Sequence, residues 1–211
     1  MKNETSLIFE KLFTEYPLLK AVKDDVLKAY NILLTAYKMS NKVLVCGNGG
    51  SAADSEHIVG ELMKGFHLLR PLDETEKRAF NEYENGEYIA SRLQGSLPAI
   101  SLVSHTGLMT AFNNDVDSSL VFAQQVWGYM NENDVLISLS TSGNSLNVYN
   151  ASVTAKVKKG KVIAITGENG GRLKSVADAA VCLPSGDTAK IQELTLPVYH
   201  ALCAMLEREL F

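Results

Sequence analysis

The stretch KVLVCGNGGSAADSEHIVGELMKGF, residues 42–66, changes character twice. Lys42 to Cys46 is a short apolar run without polar alternation, as expected of a strand buried on both faces. Gly47, Asn48, Gly49, Gly50 and Ser51 then make a turn, and a helical pattern continues to about Phe66. A buried strand that passes through glycines into a helix is the opening unit of a parallel α/β sheet. Four later runs repeat it: 99–103, 135–139, 161–166 and 179–183. With helical stretches between them, the expected fold is a five-stranded parallel sheet flanked by helices. Such sheets bind ligands beyond the carboxyl ends of their strands, so the loops after Cys46, Val103, Leu139, Thr166 and Leu183 are where chemistry is to be sought.

Upstream, Val22, Val26, Leu27, Tyr30, Leu33, Leu34 and Tyr37 recur at steps of three and four, which marks an amphipathic helix from Leu18 to Met39 with Pro17 at its start. Leu7, Ile8, Leu12 and Phe13 mark a shorter helix before it. Residues 1–40 therefore read as a helical extension whose apolar stripe is expected to be buried in an oligomer. Residues 41–211 hold the sheet domain. Within it, residues 72–97 form a polar insertion with six acidic side chains against three basic ones and a turn at Asn85 and Gly86. It is expected to be two short helices at the periphery, a lid or an interface arm anchored by Phe80, Tyr83, Tyr88, Ile89 and Leu93.

With 46% apolar and 21% charged residues over 211 positions, the chain has the composition of a folded domain, not of a disordered one. A net charge of −4 without any basic cluster argues against a nucleic-acid partner. No apolar run reaches membrane-spanning length and the first residues lack a signal-peptide pattern, so the expectation is a soluble cytoplasmic protein with no membrane partner. Cys46, Cys182 and Cys203 are odd in number and set among apolar residues, which fits free thiols in a reducing compartment.

Two loops have the composition of anion sites. At Gly47–Ser51 the backbone can approach a ligand closely, and the first amides of the following helix are free donors at the positive end of its dipole. Gly47, Gly49 and Ala52 also satisfy a loose dinucleotide pattern, but the acidic residue that should end a second strand is missing; Asp73 instead opens the insertion. No lysine follows in the Walker A position. The second loop, Ser140, Thr141, Ser142, Gly143, Asn144 and Ser145, offers hydroxyls and helix amides without positive charge, which suits a phosphomonoester that must bind and leave. His57 and Glu61, four apart, share one helix face and can hold a metal or pair a base with its orienting partner. Gln192 and His200 are eight apart, a spacing that converges only through a kink at Pro197 or through a neighbouring chain. His67 and His105 read as packing or capping residues.

Taken in order, CGNGGSAADSEHIVGEL, the Asn114–Asp115 pair, LSTSGNS, ITGENGG and PSGDTAKIQE followed by His200 resemble the SIS-domain phosphoheptose isomerases, which convert sedoheptulose 7-phosphate to a heptose 7-phosphate. The resemblance spans nearly the whole chain. It implies that residues 41–211 are a SIS domain, that the N-terminal helices pack in a homotetramer with active sites at subunit interfaces, and that zinc is bound. Carried over residue by residue, it places the metal ligands on His57, Glu61, Gln192 and His200. Sugar-phosphate contacts fall on Asn48, Gly49, Gly50, Ser51, Glu61, Asn114, Asp115, Ser140, Thr141, Ser142, Ser145 and Gln192. The proton-transfer pair falls on Glu61 and His200. Imidazole and carboxylate are ordinary zinc ligands and a glutamine oxygen is a weak one, so such a site would be exchangeable.

This chain departs from that pattern twice. Relatives join the Arg-Pro pair to the Pro-Ala-Ile strand by a handful of residues, whereas here twenty-six separate Pro71 from Pro98. The position two after Glu193, often His in relatives, is Thr195. Two other functions use the same loops: a non-catalytic SIS-domain regulator or sugar-phosphate sensor, and an isomerase of another ketose phosphate. The presence of both Glu61 and His200 favours an enzyme.

Overall fold

All four residues of β1 (Val43–Cys46) are buried, and they alternate between two cores: Val43 and Val45 face one side of the sheet, Leu44 and Cys46 the other. In the computed structural model, which describes residues 1–211, β1 pairs with β2 (Ala99–Ser101) on one edge and β3 (Val135–Ser140) on the other. Then come β4 (Lys161–Gly167) and β5 (Ala179–Leu183), in the order β2-β1-β3-β4-β5, with every pairing parallel. Each expected run is a strand, its ends moved by a residue or two. The chain leaves β1 toward β2 and returns to β3 on the opposite side, so the crevice above β1 and β3 is the topological switch point.

In chain order the helices are α1 (Asn3–Glu15), α2 (Lys23–Lys38), α3 (Gly50–Met63), α4 (Glu74–Arg78), α5 (Gly86–Ala90), α6 (Thr106–Asp115), α7 (Val121–Tyr129), α8 (Leu146–Val157), α9 (Leu173–Val176) and α10 (Thr188–Leu210). The expected helix over Leu18–Met39 is two pieces. Pro17 starts a 3-10 turn that ends at Val22, whose φ of −116° and ψ of 17° leave the helical region before α2 begins.

The stripe on α2 is already covered inside one chain. Val22, Val26, Tyr30, Leu33 and Tyr37 lie in the same core as Phe9, Leu12 and Phe13 of α1, Val198, Leu202 and Met205 of α10, and the sheet residues Ile137 and Ile163. The apolarity that pointed to an oligomer interface is thus satisfied by the chain's own sheet and last helix. The 1–40 segment is an integral wall of the domain, and deleting it would open the core, not merely separate subunits.

The insertion contains the two expected short helices. Asp73 caps α4: its Oδ1 accepts from the Thr75 and Glu76 amides while Glu76 accepts from the Asp73 amide. That capping box explains an acidic residue that fitted no nucleotide site. Asn85 takes a left-handed φ of 60° at the start of α5. Of the aromatic and aliphatic residues expected to anchor the segment, Tyr83, Tyr88, Ile89 and Leu93 are exposed and Phe80 alone is half-buried, packed against Gly86; only Gly86, Ala90 and Leu97 are buried. The insertion is held at its neck instead. Gly95 N–H donates to Arg70 O at 2.7 Å, Gly65 N–H donates to Gln94 Oε1 at 2.7 Å, and Pro71 bridges Gln94.

Candidate active site

The loop after β1 turns at Gly49, whose φ of 57° and ψ of −121° suit only glycine, and delivers the chain into α3 at Gly50. No side chain caps this helix start, and the amides of Gly49 and Gly50 have no partner in the chain. The loop after β3 ends in the same way. Ser145 stands at the N-cap position of α8 without capping it; its Oγ lies 3.0 Å from Ser140 Oγ. Ordinary capping therefore does not account for Ser145, and the Leu146 and Asn147 amides remain open. Ser142 Oγ accepts from the Asn144 amide at 3.1 Å. Gly143 packs the loop onto the one after β4, since a Cβ there would lie 2.2 Å from Gly170 O.

The two loops are fastened to each other. Asn48 Nδ2 donates to Asn147 Oδ1 and Asn147 Nδ2 donates back to Asn48 Oδ1, both at 2.9 Å. Beside this pair, at the switch point, is a cavity of about 370 Å³ lined by Asn48, Asn147, Leu146, Met109, Asn113 and Ser119. The start of α8 and Asn48 border this cavity, and the Gly49–Gly50 amides and the Ser140–Ser145 hydroxyls belong to the same two loops; helix N-termini and hydroxyls of this kind suit an anion without a fixed cation. Asn114 and Asp115 are not drawn into it. They sit exposed in the last turn of α6 and bond to each other at 2.9 Å, while Asn113 lines the cavity in their place.

A second constellation lies along α3 and α10. His57 Nε2 is 3.2 Å from Glu61 Oε1 and 3.4 Å from His200 Nε2, so the sequence-neutral i, i+4 pair is joined by a residue from the far end of the chain. Glu61 Oε2 is buried and has no hydrogen-bond partner; Lys64 Nζ approaches only to 3.7 Å. Burial and then the neighbouring His57 push the His200 imidazole below its ordinary value, Glu61 opposing and His67 adding to the effect. Two imidazoles and a carboxylate with an unsatisfied oxygen fit a zinc ion in donor chemistry. Within one chain, though, no three His, Cys, Asp or Glu side chains converge on a single ion position.

Gln192 stands apart from this group. Its side chain packs on the start of α3, where a Cβ on Gly50 would come within 2.6 Å of Gln192 Nε2, and it makes no hydrogen bond to His57, Glu61 or His200. α10 runs unbroken through Pro197, so the proline does not fold Gln192 back toward His200. Thr195 turns inward and donates to Ile191 O at 2.9 Å, which leaves that position no part in the site. His67 stacks on Phe66 with ring centroids 4.1 Å apart, as a packing residue does, whereas His105 begins α6 without a capping bond.

Several residues that frame the site had no visible signal in the sequence. Tyr199 donates to Asp54 Oδ1 at 3.2 Å and lies 2.9 Å from His57 Nδ1. Burial raises the Asp54 carboxyl above its ordinary value, against the lowering effect of Tyr199 and His57. Below them, Glu207 of α10 accepts from the Phe66, His67 and Leu68 amides and from Arg70 Nε, while Arg70 also donates to Leu62 O and Glu61 O. That buried pair clamps the last turn of α3, with Glu61 in it, to α10. Asp54 could have been found as the residue one turn before His57; the others become neighbours only in the fold.

Comparison with known proteins agrees with this arrangement. Two SIS-domain family profiles match the chain, one over residues 89–205 and one over residues 17–92. The phosphoheptose isomerase of Citrifermentans bemidjiense is 40% identical over 183 residues, covering 87% of this chain and 83% of its own. That of Nitratiruptor sp. is 38% identical over 199 residues, covering 94% and 90%. Among solved structures, a phosphoheptose isomerase from Francisella tularensis superposes with a TM-score of 0.76 at 29% identity, covering 99% of this chain and 100% of that one. With its fold, its paired helix starts and Glu61 facing two histidines, the chain belongs to the phosphoheptose isomerase family of SIS-domain proteins.

Proposed function

We propose that this protein is an aldose-ketose isomerase that converts sedoheptulose 7-phosphate to D-glycero-D-manno-heptose 7-phosphate through an enediol, and that it does so in the cytoplasm as a homotetramer. The observation that carries the reading is the meeting of Glu61, His57 and His200 on α3 and α10, alongside two uncapped helix starts. Ser140, Thr141, Ser142 and Ser145, with the free amides of Gly49 and Gly50 and the Ser51 hydroxyl, hold the phosphate. Eleven residues of helix, about 16 Å, separate Gly50 from Glu61, which favours a long sugar phosphate over a triose phosphate. Asn48 and Gln192 contact the sugar; Asn114 and Asp115, which lie outside the cavity of their own chain, would reach it only in the site of a neighbouring protomer.

Ketose to aldose conversion moves a proton from carbon 1 to carbon 2. Glu61 takes it from carbon 1 and returns it to carbon 2. His200 donates to the oxygen on carbon 2 as the enediol forms and removes the proton from the oxygen on carbon 1 as it collapses. Burial and the neighbouring His57 shift His200 toward the neutral imidazole, which can still polarise a carbonyl through its N–H. His57, Glu61, Gln192 and His200 would hold zinc, which when bound supplies Lewis-acid polarisation of the substrate oxygens.

Because Gln192 stays at the glycine loop of its own chain, closing that ligand set calls for a neighbouring protomer, and this supports the oligomer. So does α6, which buries none of its residues and leaves Leu108 exposed, with Val116 and Leu120 exposed just beyond it. The test is to incubate the purified protein with five-, six- and seven-carbon ketose phosphates, with and without zinc, and to identify the aldose formed. Turnover confined to the seven-carbon substrate and increased by zinc is the expected result; turnover of a shorter ketose phosphate alone would reassign the substrate.

A further inference from the structure

We propose that Asp54 and Tyr199 are positioning residues that lock His57 in its Nδ1–H tautomer, so that the Nε2 lone pair is held toward Glu61 and His200. The inference rests on the reading of His57 as a metal ligand. A phenol has one proton to give. With Asp54 Oδ1 taking it at 3.2 Å, the 2.9 Å contact with His57 Nδ1 is left to an imidazole N–H donating to the Tyr199 oxygen, and this is the arrangement we assign. In a neutral imidazole the other nitrogen then carries the lone pair. That nitrogen is the one 3.2 Å from Glu61 Oε1 and 3.4 Å from His200 Nε2. The opposite tautomer would aim a proton into this space, where a cation's ligands have to present lone pairs.

The phenol is fixed by its packing. Tyr199 is only 2% exposed, and its ring meets His57 edge-on at 5.5 Å and 74°. Asp54 lies one turn before His57 on α3, so a single helix supplies both the imidazole and the carboxylate that orients it, with the phenol inserted from α10. Metal-bound histidines characteristically donate their second nitrogen to an outer partner, and loss of that partner typically lowers metal affinity about 10- to 100-fold.

The test uses metal-free protein labelled with ¹⁵N-histidine, whose four histidines give a simple solid-state NMR spectrum, together with zinc affinity by chelator competition. The wild type should show His57 protonated on Nδ1. Asp54→Ala frees the Tyr199 hydroxyl to turn and donate to Nδ1; it should move the proton to Nε2 and weaken zinc binding about 10- to 100-fold, with Asp54→Glu restoring both. Tyr199→Phe should also release the tautomer, and a melting curve for each variant separates this from unfolding. A wild-type His57 protonated on Nε2, or an Asp54→Ala protein with unchanged tautomer and zinc affinity, would overturn the proposal. A wild type that holds the Nδ1–H form but takes up no zinc upholds the lock and removes the metal reading.

Discussion

The serine loop closes on itself, with Ser140 against Ser145, Asn147 against Asn48 and Gly143 against Gly170, whereas the cluster on α3 and α10 leaves Glu61 Oε2 without a partner and Gln192 two helical turns away from His200. One end of the site is finished within a single chain; the other is not. Backbone amides and short hydroxyl side chains can be fixed by local turns, so an anion site needs only the sheet to align two loops. Proton transfer needs long side chains from distant elements, and these are held by supports such as Tyr199 and the Arg70–Glu207 pair. Variants at the two ends should therefore fail differently.

The largest effect is expected from Glu61→Gln. Loss of a positioned base should lower turnover about a hundred- to ten-thousand-fold, with sugar-phosphate affinity by calorimetry nearly unchanged because the anion loops are separate. A parallel loss of binding would show that the two ends are one unit. His200→Asn should reduce turnover similarly and also weaken zinc binding.

Next in size is the clamp beneath the cluster. Glu207→Gln leaves Arg70 buried beside a neutral amide and should cost about 3–5 kcal/mol, read as a lower denaturation midpoint. Burial alone would raise the Glu207 carboxyl, but the Phe66 and His67 amides and Arg70 hold it below its ordinary 4.5. Its contribution is therefore complete above that ordinary value and is lost as pH falls from there through the lower native value. Melting temperature against pH should show an acid-side decline in the wild type that is shallower in Glu207→Gln.

At the anion end, replacing Ser142 and Ser145 together by Ala should weaken sugar-phosphate binding at least tenfold, since a hydrogen bond to a charged group contributes about 1.5–3 kcal/mol. Unchanged affinity in a titration would remove the hydroxyls from the site. The smallest effect concerns the insertion. Its neck is closed by the Gly95–Arg70 bond and little of it is buried, so trimming residues 72–93 should change stability by only about 0.5 kcal/mol. A change in KM or in sedimentation behaviour would establish the segment as a lid or an interface arm; no change in either would leave it without a functional role.

Much of this was legible in the sequence where the governing interaction is local. Unalternated runs gave five strands because burial on both faces leaves a mark in every residue, and Gly49 and Gly143 stand where the backbone turns left-handed. His57 and Glu61 were paired by helix geometry alone. Periodicity showed that one face of α2 is covered but not by what, so the stripe that suggested another subunit proved to face the chain's own sheet. Asn48 and Asn147 are 99 positions apart, and Tyr199 and Asp54 are 145 apart; no spacing rule joins such pairs before the fold does. The resemblance to isomerases supplied Gln192 and His200 as partners, and the single chain keeps them eight residues apart on one continuous helix.

The central claim is that Glu61 carries a proton between two carbons of a sugar phosphate held by the helix starts. It is tested most directly by following sedoheptulose 7-phosphate in heavy water by NMR with the zinc-supplied wild type and with Glu61→Gln. The account predicts heptose 7-phosphate from the wild type, with deuterium on carbon 2 in the fraction of turnovers in which the proton on Glu61 exchanges with solvent before the enediol collapses, and almost no aldose from the variant, although both bind the ketose. Saturable binding by the wild type with no aldose formed would contradict it and leave a sugar-phosphate-binding protein in place of an enzyme.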